Sequence, residues 1–395
     1  MYTIGINISF LRKPYTGIGQ VTTHVLHELL SRKEYVIGGR KVPQEEVLFY
    51  GYSDSNEVFD LPSRIILRRP SLSYSRDDIV RKWLFERIAL PRSAREDRLD
   101  AFISPYQSAT VFGRWNKTHH VMVVHDLIPE ILPEYNKTFR KKLSWKSVKH
   151  GILRADRIVA VSQYTEKDII KHLGIRSNRI SVAPIDVDPG FSLAIAKDQL
   201  SSVMRHHGLS SGYFFCSGGL EKRKNVANVI YAYKQLLKEK GDANVIPDLV
   251  ISGMLMPELA PLITDVETLV RKCNLTKRVH VLGAVPQHDM LALYQGALAS
   301  LFVSEYEGFG MPVLEAMRSG TPVVATKKTS LPEVGGDAVL YCDGTVQDIV
   351  RAMKEMTEND VMRKELRRRG SLRSKLFSWE SFVNTLLGNI SLREK

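Results

Sequence analysis

Short apolar runs alternate with longer amphipathic stretches along nearly the whole chain. This alternation predicts strand, helix, strand, helix, the pattern of an open α/β sheet. Tyr2–Ser9 reads as a strand, Gly17–Leu30 as a loop and then a helix, Ala101–Ser104 as a short strand and His119–His125 as a buried one. Arg157–Ser162 is a further strand with the helix Thr165–Leu173 behind it, and Ile180–Ala183 closes this half. A second cycle opens at Tyr213–Ser217. It runs through Asn225–Lys240, Asp248–Ser252, Ala260–Cys273, Val279–Leu282, Gln287–Tyr294, the strand Ala299–Val303, Val323–Ala325 and Gln347–Thr357. A chain of 395 residues exceeds what one core usually organises. Pro, Asp and Gly cluster in Pro184–Leu200, so the pattern predicts one domain over 1–190 and a second over 191–378, followed by an amphipathic stretch in 379–395.

The segment Ser304–Met317, SEYEGFGMPVLEAM, is the most informative in the chain. It follows a buried strand and ends in a helix with Pro312 in its first turn and Gly320 just beyond its end. Between them, the glycines of Gly308-Phe309-Gly310 let backbone amides come close to a ligand. Those amides and the orphan N–H groups of the helix start make a seat for phosphate. Glu307 and Glu315 flank the seat, and carboxylates beside an anion seat bind hydroxyls. Phosphate in the middle with hydroxyls at both ends describes a nucleotide sugar.

A second segment, Ser217-Gly218-Gly219-Leu220-Glu221-Lys222-Arg223-Lys224-Asn225, is a Gly-rich turn after an apolar strand. Its cations and flexible backbone suit a diphosphate, and Asn225 is suited to cap the next helix. Near the N-terminus, Tyr15-Thr16-Gly17-Ile18-Gly19 opens a helix, but Thr22 stands where a dinucleotide fingerprint needs a third glycine. His125-Asp126 ends an apolar strand, the position at which open α/β sheets bind ligands.

Glu307 and Glu315, within EGFGMPVLEAM and followed by G-TPVVAT, resemble the E-x7-E signature of family 4 glycosyltransferases, retaining enzymes with the GT-B fold. The resemblance implies two Rossmann-like domains facing across a cleft, an acceptor-side domain over 1–190, a nucleotide-sugar-binding domain over 191–378, and a last helix from about Trp379 packing back on the first domain. It implies that Lys224 and a nearby arginine bind the donor diphosphate. The family's arginine position is Gly219 in this chain, and Arg223 is the candidate to replace it. Glu307 would position sugar hydroxyls, Glu315 the ribose, and His125 would contact the donor sugar near the reacting carbon, with Asp126 as a candidate to orient it. Gly17, Gly19, Ser217, Gly218, Gly219, Gly308, Phe309, Gly310 and Met311 would complete the donor site.

The overall tone, HDLIP with GLEKRKN and EGFGMP, looks most like bacterial mannosyltransferases of O-antigen and capsule synthesis. GDP-mannose is the expected donor and a UDP-hexose the main rival, with a glycan or lipid-linked acceptor. A GT-B epimerase would need no acceptor and a glycan phosphorylase would consume inorganic phosphate. A basic binding module would leave the glutamates and glycines unexplained. Asp186-Val187-Asp188 imitates the metal-binding triplet of the other major glycosyltransferase fold, but it lies in the linker and reads as a turn. His206-His207 reads as a surface pair without the further ligands a metal needs. The expectation is a donor site without metal or other cofactor.

The net charge of +13 is the compositional outlier. Ten Lys/Arg fall between Arg64 and Arg98 against five acids, and eight between Lys137 and Arg157 against one. These clusters, interleaved with Trp83, Ile88, Phe139, Leu143 and Trp145, are either solvated helix faces or a surface that adsorbs to anionic lipid. No recognition motif accompanies the charge, so nucleic acid is not the expected partner. There is no apolar run of transmembrane length and no signal-peptide pattern. The three cysteines, Cys216, Cys273 and Cys342, form no disulfide framework. The expected address is the cytoplasm, including the inner face of the plasma membrane.

Overall fold

The structure is a computed structural model that describes residues 1–55, 57, 61, 64–69, 77–113, 117–240 and 246–391. The chain divides into two compact units. Unit 1 comprises Met1–Asp186 with Ser378–Lys395, and unit 2 comprises Val187–Phe377. The division therefore falls slightly before residue 190.

Unit 1 carries strands β1 (Tyr2–Asn7), β2 (Glu34–Ile37), β3 (Arg40–Pro43), β4 (Val47–Tyr52), β5 (Ile65–Arg68), β6 (Ala101–Ser104), β7 (His119–Val124), β8 (Arg157–Ala160) and β9 (Ile180–Val182). Seven of them form one sheet in the order β5-β4-β1-β6-β7-β8-β9, with every pair parallel. Such a sheet is covered on both faces, and its strands read as unbroken apolar runs rather than as an alternation. β2 and β3 form a separate antiparallel hairpin. Its turn is Gly38-Gly39, at φ +56° and +83°, a backbone that glycine adopts without strain.

Unit 2 carries β10 (Tyr213–Cys216), β11 (Leu249–Ser252), β12 (Val279–Gly283), β13 (Ala297–Phe302), β14 (Val323–Thr326) and β15 (Val339–Cys342). These also make a wholly parallel sheet, in the order β12-β11-β10-β13-β14-β15. Strand order reverses between β10 and β13. In open α/β sheets the ligand crevice lies outside the carboxyl ends of the strands at that reversal. The two segments singled out in the sequence, Ser217–Asn225 and Ser304–Met317, directly follow β10 and β13. In unit 1 the reversal lies between β1 and β6, which places the loop before Gly17 and the chain after Ser104 at the corresponding position.

The core of unit 2 shows why its helices form where they do. In the helix Val226–Lys240, Val226, Val229, Ile230, Tyr233 and Leu236 recur at helical spacing. They bury against Phe214, Leu249, Ile251 and Leu301 of the sheet. Each such side chain contributes about 1.5–3 kcal/mol on leaving water, and truncating fully buried Phe214 to Ala removes about 3–5 kcal/mol.

One predicted helix is shorter than its pattern. Ala260–Cys273 folds as a helix only over Val266–Lys272. The preceding residues pair with the β10 loop instead: Thr264 N–H donates to Leu220 O (2.7 Å) and Lys222 N–H to Leu262 O (2.8 Å). That bracing competes with helical hydrogen bonding and wins.

The final helix, Trp379–Gly388, belongs to unit 1. Ser378 caps it, Trp379 stacks on His24 at 5.0 Å, and Gly38 N–H donates to Leu387 O. Residues 392–395 lie outside the described residues. No helix among the described residues is long and apolar enough to cross a membrane.

Candidate active site

After β10 the chain turns at Gly218, whose φ of +105° favours glycine. It then makes a single 3-10 turn, Lys222–Lys224, ended by Asn225 in the left-handed region at φ +60°. The Asn225 side chain does not cap the following helix. Its Nδ2 donates to Gly344 O (2.9 Å), an acceptor it shares with Asn228 Nδ2 (3.0 Å). The tie to the loop after β15 fixes the turn that presents Arg223 and Lys224.

The chain after β13 is locked to that turn. Glu305 N–H donates to Arg223 O (2.7 Å), and the Arg223 guanidinium donates to Tyr306 O (2.8 Å). Glu307 N–H donates to Thr329 Oγ1 (3.1 Å), while the Ser330 hydroxyl is shared between the Glu307 and Phe309 carbonyls at 3.0 and 2.7 Å. Gly310 adopts φ +114°, and a Cβ there would stand 2.6 Å from Leu331 Cδ2, so only glycine fits. Met311–Arg318 then forms a helix with Pro312 in its first turn and no side-chain cap from Gly310. A Cβ on Gly218 would lie 3.8 Å from Pro312 Cγ, which shows how closely the β10 loop approaches this helix start.

The two glutamates have opposite surroundings. Glu307 accepts from Lys224 Nζ at Oε1 (2.6 Å) and pairs with Arg223 at Oε2 (2.9 Å). Burial works to raise its carboxyl, but the charges of Lys224 and Arg223 outweigh that and hold it below the usual carboxylate range. Each carboxylate oxygen has a second lone pair, so Glu307 can hold both cations and still accept sugar hydroxyls. Glu315 is equally buried, but its direct partner is the Tyr294 hydroxyl, which donates to Oε2 at 2.9 Å. Ser217 Oγ lies 2.7 Å from the same phenol oxygen and, with that proton committed, must donate to it. Burial dominates here, aided by the charge of Asp188, and the Glu315 carboxyl rises to about 7. One residue therefore stays ionised while the other titrates near neutrality.

In unit 1 the helix Gly17–Ser31 is capped by Thr16, whose Oγ1 accepts from Gly19 N–H (3.1 Å). A Cβ on Gly19 would meet Lys13 O at 1.9 Å, so the chain's own crossing already requires glycine there. His125 follows β7. Its Nε2 lies 2.9 Å from Pro105 O, which can only accept, so Nε2 carries the proton and Nδ1 keeps its lone pair. Burial pulls the imidazole down to about 4, leaving it neutral at pH 7. The Asp126 carboxylate accepts from Ile128 N–H (3.0 Å), and the oriented contact to the His125 ring comes from Pro105 instead. Beside this, a pocket of about 260 Å³ is lined by Ile18, Lys82, Tyr106, Gln107, Asn136 and Trp145 among others.

Comparison with known proteins bears on the family and the fold. Residues 16–191 match the family described as Glycosyltransferase Family 4, and residues 206–373 the family described as Glycosyl transferases group 1. The chain is 31% identical over 262 residues to O-antigen chain mannosyltransferase B of Escherichia coli, covering 66% of this chain and 67% of that protein. The chain belongs to the GT-B glycosyltransferases related to bacterial O-antigen mannosyltransferases. It also shares 29% identity over 269 residues with the serotype-specific mannosyltransferase WbdA of Escherichia coli, covering 66% of this chain but only 32% of WbdA. The structure of WaaG, a glycosyltransferase involved in lipopolysaccharide biosynthesis, matches with a TM-score of 0.73 at 16% identity, over 98% of this chain and 99% of that one. This glycosyltransferase is thus an enzyme that takes a nucleotide-sugar donor and a glycan or lipid acceptor.

Several residues of the glycosyltransferase read differently in the fold than in the sequence. Trp145, taken from sequence as part of an aromatic surface, is 8% exposed and donates to Glu130 Oε2. Lys149 pairs with Glu130 as well, at 2.7 Å. On that helix, Phe139–Arg154, the exposed large apolar residues are Phe139 (81%), Leu143 (54%) and Leu153 (37%). Much of the earlier basic cluster is internally paired: Arg68 with Asp97, Arg81 with Asp78, Arg92 with Glu96. Arg76 lies outside the described residues. Asp188 caps a short turn by accepting from Gly190 N–H (2.8 Å), and its charge also reaches Glu315. Gly219 has ordinary backbone angles, and a Cβ there would meet nothing closer than 3.7 Å. The place of the family's arginine is therefore spacious, while the Arg223 guanidinium reaches Glu307 from four residues on. Two contributions to the site are not legible in the sequence, the charge of Asp188 on Glu315 and the hydroxyl of Tyr294. The helical spacing of Tyr294 marks it as core, and no local signal shows that its hydroxyl joins Ser217 to Glu315.

Proposed function

We propose that the protein is a retaining family 4 glycosyltransferase that moves mannose from GDP-mannose to a glycan or lipid-linked acceptor in polysaccharide biosynthesis. One observation carries the reading: Lys224, Arg223 and Glu307 converge at the strand reversal of unit 2, beside a helix start and a second glutamate, Glu315, held by the Tyr294 hydroxyl. The named activity of the Escherichia coli relatives supports mannose. In this reading Lys224 and Arg223 hold the diphosphate, with Gly218, Gly219, Gly308, Phe309, Gly310 and Met311 lending amides and close approach. Glu307 positions sugar hydroxyls, and Glu315, backed by Tyr294 and Ser217, takes the ribose. For His125 and the loop of Gly17 and Gly19 the family resemblance supplies the role, contact with donor sugar and diphosphate, and a neutral imidazole is the form suited to accept from a hydroxyl.

The bond between the anomeric carbon and the diphosphate breaks, the acceptor oxygen bonds to that carbon on the same face, and the acceptor proton passes to the departing phosphate oxygen. No protein base is needed. Charge growing on the leaving group is offset by preorganised cations and the helix start, a type of stabilisation that does not require a metal. The acceptor is assigned to unit 1. A lipid-linked acceptor is met at a membrane, which gives Lys141, Lys142 and Lys146 beside exposed Phe139 and Leu143 a use at the anionic cytoplasmic face.

The decisive experiment is a ligand-linked thermal shift with GDP-mannose, UDP-glucose and UDP-galactose. Stabilisation by GDP-mannose alone is expected, and stabilisation confined to a UDP sugar would replace the donor assignment. Product NMR showing the α-anomer from an α-linked donor tests retention. Full turnover in excess EDTA tests metal independence, whereas loss rescued by manganese would reopen Asp186 and Asp188.

A further inference from the structure

We propose that unit 2 holds a transition-metal site of the zinc class, built from His206, His207 and Asp289 and separate from the donor site. His206 ends the helix Lys197–His206 and His207 follows it, while Asp289 stands in the first turn of the helix Gln287–Gly296. His207 and Asp289 stand 82 positions apart in sequence, which hides the grouping, and the fold supplies the ligand that the histidine pair lacked. His207 Nε2 lies 2.9 Å from Asp289 Oδ2, and one ligand atom from each of the three residues falls within 4.8 Å of the others.

The donor set is two imidazoles and a carboxylate. It suits zinc, cobalt, nickel or copper, whereas calcium and magnesium take oxygen ligands. With bonds of about 2.0–2.2 Å, neighbouring ligand atoms around tetrahedral zinc stand about 3.3 Å apart. The His207–Asp289 pair already has nearly that spacing, and the exposed His206 ring closes the remainder by rotating about its side-chain bonds. A water molecule supplies the fourth position. Asp289 is buried, and its other oxygen faces His288 Nε2 at 3.5 Å.

Occupancy ties the end of one helix to the start of another. The second of these helices carries Tyr294, which holds Glu315, and Leu293, whose carbonyl accepts from Tyr213 at 2.7 Å. The metal therefore braces unit 2 and touches no group of the proposed reaction. The inference does not depend on the donor assignment.

The test uses the full chain with any affinity tag removed and metal stripped by EDTA. Zinc chloride titrated in a non-coordinating buffer raises Tm by several degrees with a stoichiometry of one, and cobalt gives the visible absorption of a four-coordinate centre. His206→Gln leaves the His207–Asp289 hydrogen bond in place. It is expected to keep the metal-free Tm of the parent while losing both the zinc shift and the cobalt band. Absence of stoichiometric binding, or His206→Gln binding like the parent, overturns the site. Donor turnover in EDTA is read alongside: a lowered Tm with unchanged kcat fits this site, and loss of kcat would instead indict the metal-free donor site.

Discussion

Lysine serves two different ends in the two units. In unit 2, Lys224 is about a tenth exposed, 2.6 Å from Glu307 and 4.8 Å from the ring of Phe302, with Arg223 on the other carboxylate oxygen. In unit 1, Lys141, Lys142 and Lys146 stand in solvent beside apolar side chains that are also exposed. Buried charges in mutual contact are strongly coupled, so one substitution unbalances the rest. Surface charges act through a screened field that is diffuse and nearly additive. The first arrangement suits a site that must be in place before its ligand arrives, the second a surface that has no fixed partner geometry.

The largest effect that would break this comparison lies at Glu307. Glu307→Gln leaves buried Lys224 without its carboxylate, while Arg223 keeps Glu221, and breaking a buried pair costs about 3–5 kcal/mol. Turnover is expected to fall about 10²–10³-fold, more than donor affinity changes, because in the proposed reaction Glu307 holds the sugar where charge develops. Steady-state kinetics together with Tm check both. Equal and mild effects on kcat and donor Kd would remove the assigned role.

Next in size is the contrast between the glutamates themselves. The Glu315 carboxyl stands at about 7 in the fold against an ordinary 4.5. The native state therefore binds more protons than the unfolded chain between these values, and stability falls as pH rises through that window, by about 3 kcal/mol in total. Glu307 works in the other direction: its depressed carboxyl contributes stability above its ordinary value and loses it as pH falls through the folded one. Glu315→Gln is expected to flatten the decline between pH 5 and 7. Ribose hydroxyls donate to an ionised carboxylate, so the parent binds donor more tightly above pH 7, and the variant shows no such rise. Calorimetric titrations across pH 6–8 read this directly, and parallel curves for parent and variant would dismiss Glu315 from nucleotide binding.

How much of this was readable beforehand follows from where the atoms come from. The two loops at the strand reversal of unit 2 are contiguous segments, so glycines, cations and carboxylates lie together in the sequence as they do in space. The alternation of apolar runs likewise marked most strands of both parallel sheets, since strands covered on two faces need unbroken apolar stretches, but β4, β5 and β15 of those sheets did not stand out from it. The hairpin Glu34–Pro43 was missed because its strands are short and half exposed, and Gly38-Gly39 was its one signal. Tyr294 and Asp188 were missed for a different reason: each acts on Glu315 from an element distant in sequence. Trp145 was misread because a helix bearing many lysines has the same composition whether its tryptophan faces the core or the solvent.

A smaller effect tests the surface side of the comparison. Replacing Lys141, Lys142 and Lys146 with Gln, and leaving the Glu130-paired Lys149, removes on the order of 1 kcal/mol of attraction per residue at an anionic leaflet. Co-sedimentation with vesicles is expected to rise with anionic lipid, fall with salt and drop in the triple variant, while donor binding stays at the parent level. Binding that ignores lipid charge would leave these lysines as a solvated face.

The smallest effect is the most discriminating for Glu315. Asp188 accepts from Gly190 N–H through Oδ1, and Asn offers the same oxygen, so Asp188→Asn keeps the turn and deletes only the charge. That charge is a minor cause beside burial, yet it acts in the same direction on the Glu315 carboxyl. Its removal favours ionisation, so the midpoint of donor binding against pH is expected to move towards acid while affinity at pH 8, where Glu315 is already ionised, hardly changes. Burial alone would leave the midpoint where it was. A general weakening of donor binding at every pH would mean instead that the turn had shifted, and the Tm of the variant separates that outcome from the electrostatic one.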